Sequence, residues 1–176
     1  MKKNITLLGL SFLLSKILGL VRDNLLATSF GASSGTGLFN LDAYYAAFRL
    51  PDLLFNLLSY GVLSAAFVPL FMEILKRENV KKAFEFTNEI LHALSFIILI
   101  ISVILFIGAP YLLKLFVPGF SPEDFRITVT ATRIMLVTPF FFTLSGVAAG
   151  VQNAFQKFFS LAVAPIFYNL GIIGGI

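Results

Sequence analysis

The sequence predicts an all-α fold, a polytopic membrane helix bundle with about five transmembrane helices. Of the 176 residues, 58% are hydrophobic and 12% are charged, whereas soluble domains have roughly 45–50% apolar and about 25% charged residues. A single soluble domain of this length could not bury that much apolar surface, so lipid is the expected solvent for much of it. Because the sequence has no cysteine, a secreted disulfide scaffold and a thiolate zinc site are excluded.

The first two predicted spans are apolar but interrupted by charge. Residues 5–31 form the first span and contain Lys16, Arg22 and Asp23, and residues 41–75 form the second, with Arg49 and Asp52 on either side of a proline. The apolar start of the first span is followed at once by a lysine and contains no small-x-small cleavage site, so it is predicted to be a retained helix rather than a signal peptide.

The remaining three predicted spans are more continuous. They cover residues 90–116, 127–151 and 158–176. The centre of the 90–116 span and the whole of the 158–176 span are uncharged. Each is about long enough to cross the hydrocarbon core. The last span reaches the final residue without a polar tail, which favours a fragment of a longer chain over a short C-terminal anchor.

The distribution of basic residues predicts a cytoplasmic N-terminus. With that orientation the inside loops hold seven basic residues, and the outside loops hold two, together with Glu123 and Asp124. Such a bias is the usual sign of topology in inner-membrane proteins. The inside set is Lys2, Lys3, Lys76, Arg77, Lys81, Lys82 and Lys157, and the outside set is Lys114 and Arg126.

The sequence gives little support to an enzyme or to a protein that binds nucleic acid. The one histidine, His92, has no partner at metal-ligand spacing, and no nucleophile elbow, phosphate loop or paired-carboxylate motif occurs. The net charge of +4 does not come from a basic helix face, so nucleic acid is not a predicted partner. No metal and no cofactor is predicted.

Charged residues inside the spans are the informative feature. An embedded Arg, Lys or Asp costs roughly 2.5–3.5 kcal/mol on insertion scales, so such residues tend to face protein or a water-filled cavity. Two interpretations stay open: ion pairs or snorkelling side chains that serve structure alone, and a polar cavity that binds an anionic solute. Four embedded cations against three embedded anions favour the second. The cations are Lys16, Arg22, Arg49 and Arg133, and the anions are Asp23, Asp42 and Asp52.

Several motifs of the sequence match those of a known family. The runs SKILGLVRDNLLATSFGA at 15–32 and DAYYAAFRLPD at 42–52 resemble the motifs S-R-x-L-G-x-x-R-D and D-A-F-x-x-A-F-[KR]-x-P-N of the MurJ/MviN family. GVLSAAFVP at 61–69 and APIFYNL at 164–170 also match. The resemblance covers essentially the whole chain.

The resemblance implies a fold and a substrate. The family's members are two-lobed flippases related to the MATE-like exporters, and this chain would be the N-terminal lobe, completed by a C-terminal lobe of the same chain in a bacterial inner membrane. The implied partners are membrane lipids and lipid II, the undecaprenyl-pyrophosphate-linked peptidoglycan precursor. Lys16, Arg22 and Arg49 would then bind the head group, and Asp42 would orient one of these cations.

The sequence departs from the family pattern at three cavity positions. Phe55 and Asn56 stand where the family usually has an arginine pair, and Tyr60 stands where it has glutamate. These differences keep open a flippase for another polyprenyl-linked glycan and a non-transporting membrane scaffold descended from the family. An enzyme is the third alternative, and it would require an acidic metal cluster in the C-terminal portion of the longer chain.

Overall fold

The computed structural model describes residues 2–31, 41–57, 63, 66–157 and 159–176, and these residues form helices and short connections without a strand. This confirms the all-α prediction. The helices are α1 (Lys2–Phe30), α2 (Leu41–Ala47), α3 (Arg49–Asn56), α4 (Val68–Arg77), α5 (Val80–Phe116), α6 (Pro122–Met135), α7 (Thr138–Ala154) and α8 (Phe159–Gly175).

The helices group into two compact units. One unit comprises Met1–Asp42 with Phe155–Ile176, and the other comprises Ala43–Ala154. In the first unit α1 packs against α8. Residues of α1 that are buried or half-buried recur every three or four positions, as expected for one helix face. They include Ser11, Ser15, Gly19, Arg22 and Leu26. Small residues at three successive turns of this face allow close approach of the two helices.

Helix α5 is the longest element of the second unit. Its 37 residues extend for about 55 Å, well beyond a hydrocarbon core of about 30 Å. Asn79 caps its N-terminus by accepting a hydrogen bond from the Lys82 amide at 2.9 Å. The basic residues near Asn79 and the later Lys114 therefore lie at opposite ends of α5.

Two hydrophobic clusters hold the second unit together. The larger joins α3, α4, α5 and α7, and it includes Phe67, whose ring is stacked on that of Phe86 with ring centres 5.9 Å apart. The smaller joins α3, α5 and α6 around Leu50, Leu113 and Val129. The side chains of the larger cluster are buried to 5% exposure or less.

Membrane character is visible in two long helical segments and in a large exposed apolar surface. Val80–Phe116 and Pro122–Ala154 are long and apolar enough to cross a bilayer, and Ala162–Gly175 is apolar but shorter. Leu99 and Ile107 on α5 are 60% and 66% exposed, which suits side chains that face lipid.

The predicted second and fourth spans are each divided. The second becomes α2, α3 and α4, and residues 58–62, 64 and 65 lie outside the described part. The fourth becomes α6 and α7, with a turn at Leu136 and Val137. Pro139 explains this turn, because its ring nitrogen cannot donate to the carbonyl of Met135, where α6 ends.

Candidate functional site

Arg22 is the best-defined of the four predicted binding residues. Its Nε and Nη2 donate to Oδ1 of Asp23 at 3.0 and 2.8 Å, and its Nη1 donates to Oδ1 of Asn169 at 2.9 Å. The Arg22 side chain is 23% exposed and that of Asp23 is 50% exposed. The guanidinium is therefore oriented from two directions at the α1–α8 contact.

Asn169 connects the two helices around this guanidinium. While its Oδ1 accepts from Arg22, its Nδ2 donates to the Ser15 carbonyl at 3.0 Å, the Ser15 hydroxyl at 3.2 Å and the Pro165 carbonyl at 3.0 Å. The residue is 5% exposed. Gly19 lies beside it, since a Cβ built there would be 3.9 Å from Asn169 Oδ1. The amide thus pairs both its donor and its acceptor ends in an apolar surrounding, as buried polar groups require.

The other three predicted binding residues are exposed. Lys16 lies on α1, Asp42 in the first turn of α2 and Arg49 at the start of α3. Among the described residues none of the three makes an ion pair within 4.0 Å. Their charged ends are accessible, and the structure leaves their role as binding residues a prediction.

Arg133, the fourth embedded cation, lies on α6 and contacts α5. Its Nε donates to the Phe106 carbonyl at 3.1 Å, and its guanidinium carbon is 4.9 Å from the centre of the Phe106 ring. This guanidinium is engaged within the Ala43–Ala154 unit by a backbone oxygen and an aromatic face. This contact fits the first of the two interpretations of the embedded cations, in which they serve structure alone.

Two of the three positions that depart from the family pattern are described. Phe55 is half-buried, and its ring centre is 5.1 Å from that of Phe142 on α7, whereas Asn56 is exposed. Tyr60 lies outside the described residues. An aromatic contact between α3 and α7 therefore occupies a position at which the family usually carries a charge.

Metal chemistry has no candidate site in the described part of the chain. No group of three or more His, Cys, Asp or Glu side chains lies close enough there to hold a metal ion. His92 is exposed on α5.

Sequence reasoning assigned no role to Asn169. It lies in the APIFYNL motif and is an uncharged polar residue of a largely apolar segment, one turn after Pro165. Uncharged polar residues in such segments commonly make hydrogen bonds between helices, and this signal could have selected it. Its partners on α1 are more than 140 residues away in the sequence, so only the fold identifies them.

The fold and this site define a class of protein. It is an integral membrane protein of packed apolar helices in which a guanidinium is oriented at a helix contact. Residues 26–176 match the family model for the lipid II flippase MurJ. The chain belongs to the MurJ family, which confirms the resemblance seen in the sequence.

Curated relatives and a solved structure agree with this membership. A probable lipid II flippase MurJ of Rhizobium tropici is 35% identical, over 99% of this chain and 32% of that protein. The lipid II flippase MurJ of Burkholderia cenocepacia is 34% identical, over 92% of this chain and 31% of its own length. The structure of a lipid II flippase MurJ in an inward closed conformation matches with a TM-score of 0.71 and 26% identity, over 96% of this chain and 35% of that chain. The chain spans about a third of the length of these relatives.

Proposed function

We propose that this chain is the N-terminal lobe of a flippase that moves lipid II from the cytoplasmic to the outer leaflet by alternating access. Membership of the MurJ family supports the substrate class. The observation that carries the proposal is the orientation of Arg22 by Asp23 and Asn169 at a helix contact. A guanidinium fixed in this way can bind a pyrophosphate with little further loss of side-chain entropy.

The four binding residues have distinct roles in this proposal. Arg22 binds the pyrophosphate, with Asp23 neutralising the guanidinium while the substrate is absent. Lys16 and Arg49, both exposed, supply further positive charge to the pyrophosphate or to the sugar-peptide head group. Asp42, also exposed, orients one of these cations. The mechanism is binding and transport, without a catalytic step or a cofactor.

Orientation and location complete the proposal. The N-terminus lies in the cytoplasm of a bacterial cell, and the chain crosses the inner membrane several times. The basic junction between α4 and α5 supports this orientation, because it lies at the opposite end of α5 from Lys114 and the α5–α6 turn. A C-terminal lobe of the same polypeptide is the principal partner, and membrane lipids and lipid II are the others.

The test is complementation in cells depleted of their own lipid II flippase. The complete coding region that includes this chain is expressed as wild type, as Arg22→Ala and as Arg126→Ala, and membrane levels of each are measured. We expect rescue by the wild type and by Arg126→Ala, whose exposed side chain lies in α6, and failure of Arg22→Ala at equal membrane level. Rescue by Arg22→Ala would refute the role of this guanidinium.

A transport assay in vesicles separates the alternatives. The purified complete protein is reconstituted with lipid II in one preparation and with another undecaprenyl-pyrophosphate glycan in a second. We expect translocation of lipid II to be the faster. Faster translocation of the other glycan would identify a different flippase, and it would direct attention to Phe55 and Asn56. Failure to move either lipid, with binding of cell-wall partners retained, would identify a scaffold.

A further inference from the structure

Helices α3 and α5 of the Ala43–Ala154 unit each contain a proline that removes a backbone hydrogen bond. Pro51 lies in α3 and Pro110 lies inside α5. A proline has no N–H, so the carbonyl four residues earlier loses its usual helical donor. The affected carbonyls are those of Ala47 and Phe106.

Consecutive residues in the last turn of α6 donate to these two carbonyls. The Thr132 hydroxyl donates to the Ala47 carbonyl at 3.2 Å, and Arg133 Nε donates to the Phe106 carbonyl at 3.1 Å. Both Thr132 and Ala47 are 0% exposed, so water has no access to this carbonyl. Side chains of neighbouring helices are one of the few means of pairing such a group within a bilayer.

Thr132 differs from three other buried threonines of this chain in the acceptor of its hydroxyl. Thr87, Thr128 and Thr143 are buried too, yet each donates to the carbonyl four residues earlier in its own helix. This local bond is the ordinary choice of a helical threonine. Thr132 instead reaches another helix, to a carbonyl whose backbone donor a proline has removed.

We propose that Thr132 and Arg133 are positioning residues that hold α6 against the backbone just before Pro51 and Pro110. Thr132 thereby fixes the orientation of the segment that carries Arg49. Ala47 ends α2 and Arg49 begins α3, with only Phe48 between them. The hydrogen bond to Ala47 therefore holds the backbone two residues from a candidate binding cation. The role of Arg49 in this inference rests on the proposed flippase function, whereas the fastening of α6 does not.

A mutant cycle with the proline tests the first contact. Thr132→Val removes the hydroxyl and leaves the Ala47 carbonyl unpaired, whereas Pro51→Ala returns an N–H that can pair it. In the complete protein we expect Thr132→Val to lower the folding equilibrium constant about tenfold in the wild-type background and less than about twofold in the Pro51→Ala background. Thr128→Val is the matched control, because Thr128 is equally buried and its hydroxyl bonds within α6.

Spin labels test positioning separately from stability. The chain has no cysteine, so cysteines placed at the exposed Asn56 and Arg126 report the distance between α3 and α6 once any others in the complete protein are replaced. We expect a narrow distance distribution in the wild type and in Thr128→Val, a broad one in Thr132→Val, and a narrow one again when Pro51→Ala is added.

The second contact allows the same cycle with Arg133→Met and Pro110→Ala. Methionine keeps an apolar stem but cannot donate to the Phe106 carbonyl. Pro110→Ala returns a backbone N–H that can pair this carbonyl, so we expect Arg133→Met to cost less stability in that background.

Equal losses of stability in Thr132→Val and Thr128→Val, or equal losses in Thr132→Val with and without Pro51, would overturn the inference. If Pro51→Ala does not fold, the spin-label distances decide, and a distance distribution in Thr132→Val as narrow as that in Thr128→Val would overturn the inference.

Lipid II transport provides the functional arm. Slower transport by Thr132→Val at equal membrane level, restored by Pro51→Ala, supports positioning of Arg49. Failure of the wild type to move lipid II would refute the proposed function, while the folding cycle and the distance measurements would still decide the role of Thr132 and Arg133.

Discussion

The α1–α8 pair and the Ala43–Ala154 unit use polar side chains for different purposes. In the α1–α8 pair, Asn169 pairs with three acceptor atoms and with the Arg22 guanidinium, so polar contacts orient a charge. In the Ala43–Ala154 unit, Thr132 and Arg133 donate to carbonyls that prolines leave unpaired, and aromatic rings such as that of Phe67 fill the interior. Polar contacts orient a candidate binding cation in the first region and pair the backbone in the second.

The difference follows from the energetics of helix association in lipid. Lipid tails are as apolar as the helix surfaces, so van der Waals packing and interhelical hydrogen bonds hold the helices together. The Ala43–Ala154 unit relies more on close packing, and the α1–α8 pair relies more on hydrogen bonds. Substitutions that add volume should therefore damage the former, and substitutions that remove polar atoms should damage the latter.

The largest expected effect is that of the same glycine substitution made in each region. A Cβ at Gly150 on α7 would lie 3.1 Å from Phe67 Cε1 and 3.2 Å from a methyl of Val68, whereas a Cβ at Gly171 on α8 has no described atom within 4 Å. We expect Gly150→Leu to lower the free energy of unfolding by about 3 kcal/mol through overpacking, and Gly171→Leu to leave it nearly unchanged. Denaturation of the complete protein in mixed micelles measures both. Gly171 is exposed and serves as the control, so equal losses would contradict the close packing of α7 around Gly150.

The next effect concerns the polar contact of the α1–α8 pair. Asn169→Leu keeps the approximate volume but leaves Arg22 Nη1 and the Ser15 hydroxyl without this partner, so we expect a loss of about 2 kcal/mol in the free energy of unfolding. Asn24→Leu, at an exposed position of α1, is the control and should cost nearly nothing. A loss for Asn169→Leu no larger than that for Asn24→Leu would show that the amide does not stabilise the pair.

Composition and residue pattern were sufficient to predict the helical membrane fold, because a deficit of charge and long apolar runs are properties of the chain itself. The structure divides the predicted fourth span into α6 and α7. In the sequence only Pro139 marks this division, because it leaves the Met135 carbonyl without a backbone donor. Arg22 could be selected as an embedded cation, and the motif around it indicated the family. The partner at Asn169 could not be predicted, since it depends on which face of α1 packs against α8.

A smaller effect is expected when one partner of Asn169 is removed. Ser15→Ala deletes the hydroxyl that accepts from Asn169 Nδ2, but the carbonyls of Ser15 and Pro165 still accept from the same nitrogen. Because the amide stays paired, we expect a loss of about 0.5 kcal/mol in the free energy of unfolding. The same denaturation assay measures it, with Asn169→Leu as the reference. A loss as large as that of Asn169→Leu would mean that the serine hydroxyl, and not the amide, holds the pair.

The smallest effect is expected at an exposed ion pair, in contrast with the polar contacts between apolar helices. Glu73 and Arg77 form an i,i+4 pair on α4 at 3.3 Å, and their side chains are 50% and 78% exposed. Solvent screening limits such a pair to about 0.3–0.5 kcal/mol, and we therefore expect Glu73→Gln to change the free energy of unfolding by less than Ser15→Ala does. The measurement is repeated at low and high salt, because an exposed pair weakens as ionic strength rises, whereas the contacts of Asn169 should not. A loss at Glu73 that exceeds the loss at Ser15 would reverse the order of the two environments, and polar contacts between apolar helices would then stabilise this protein less than charges in water do.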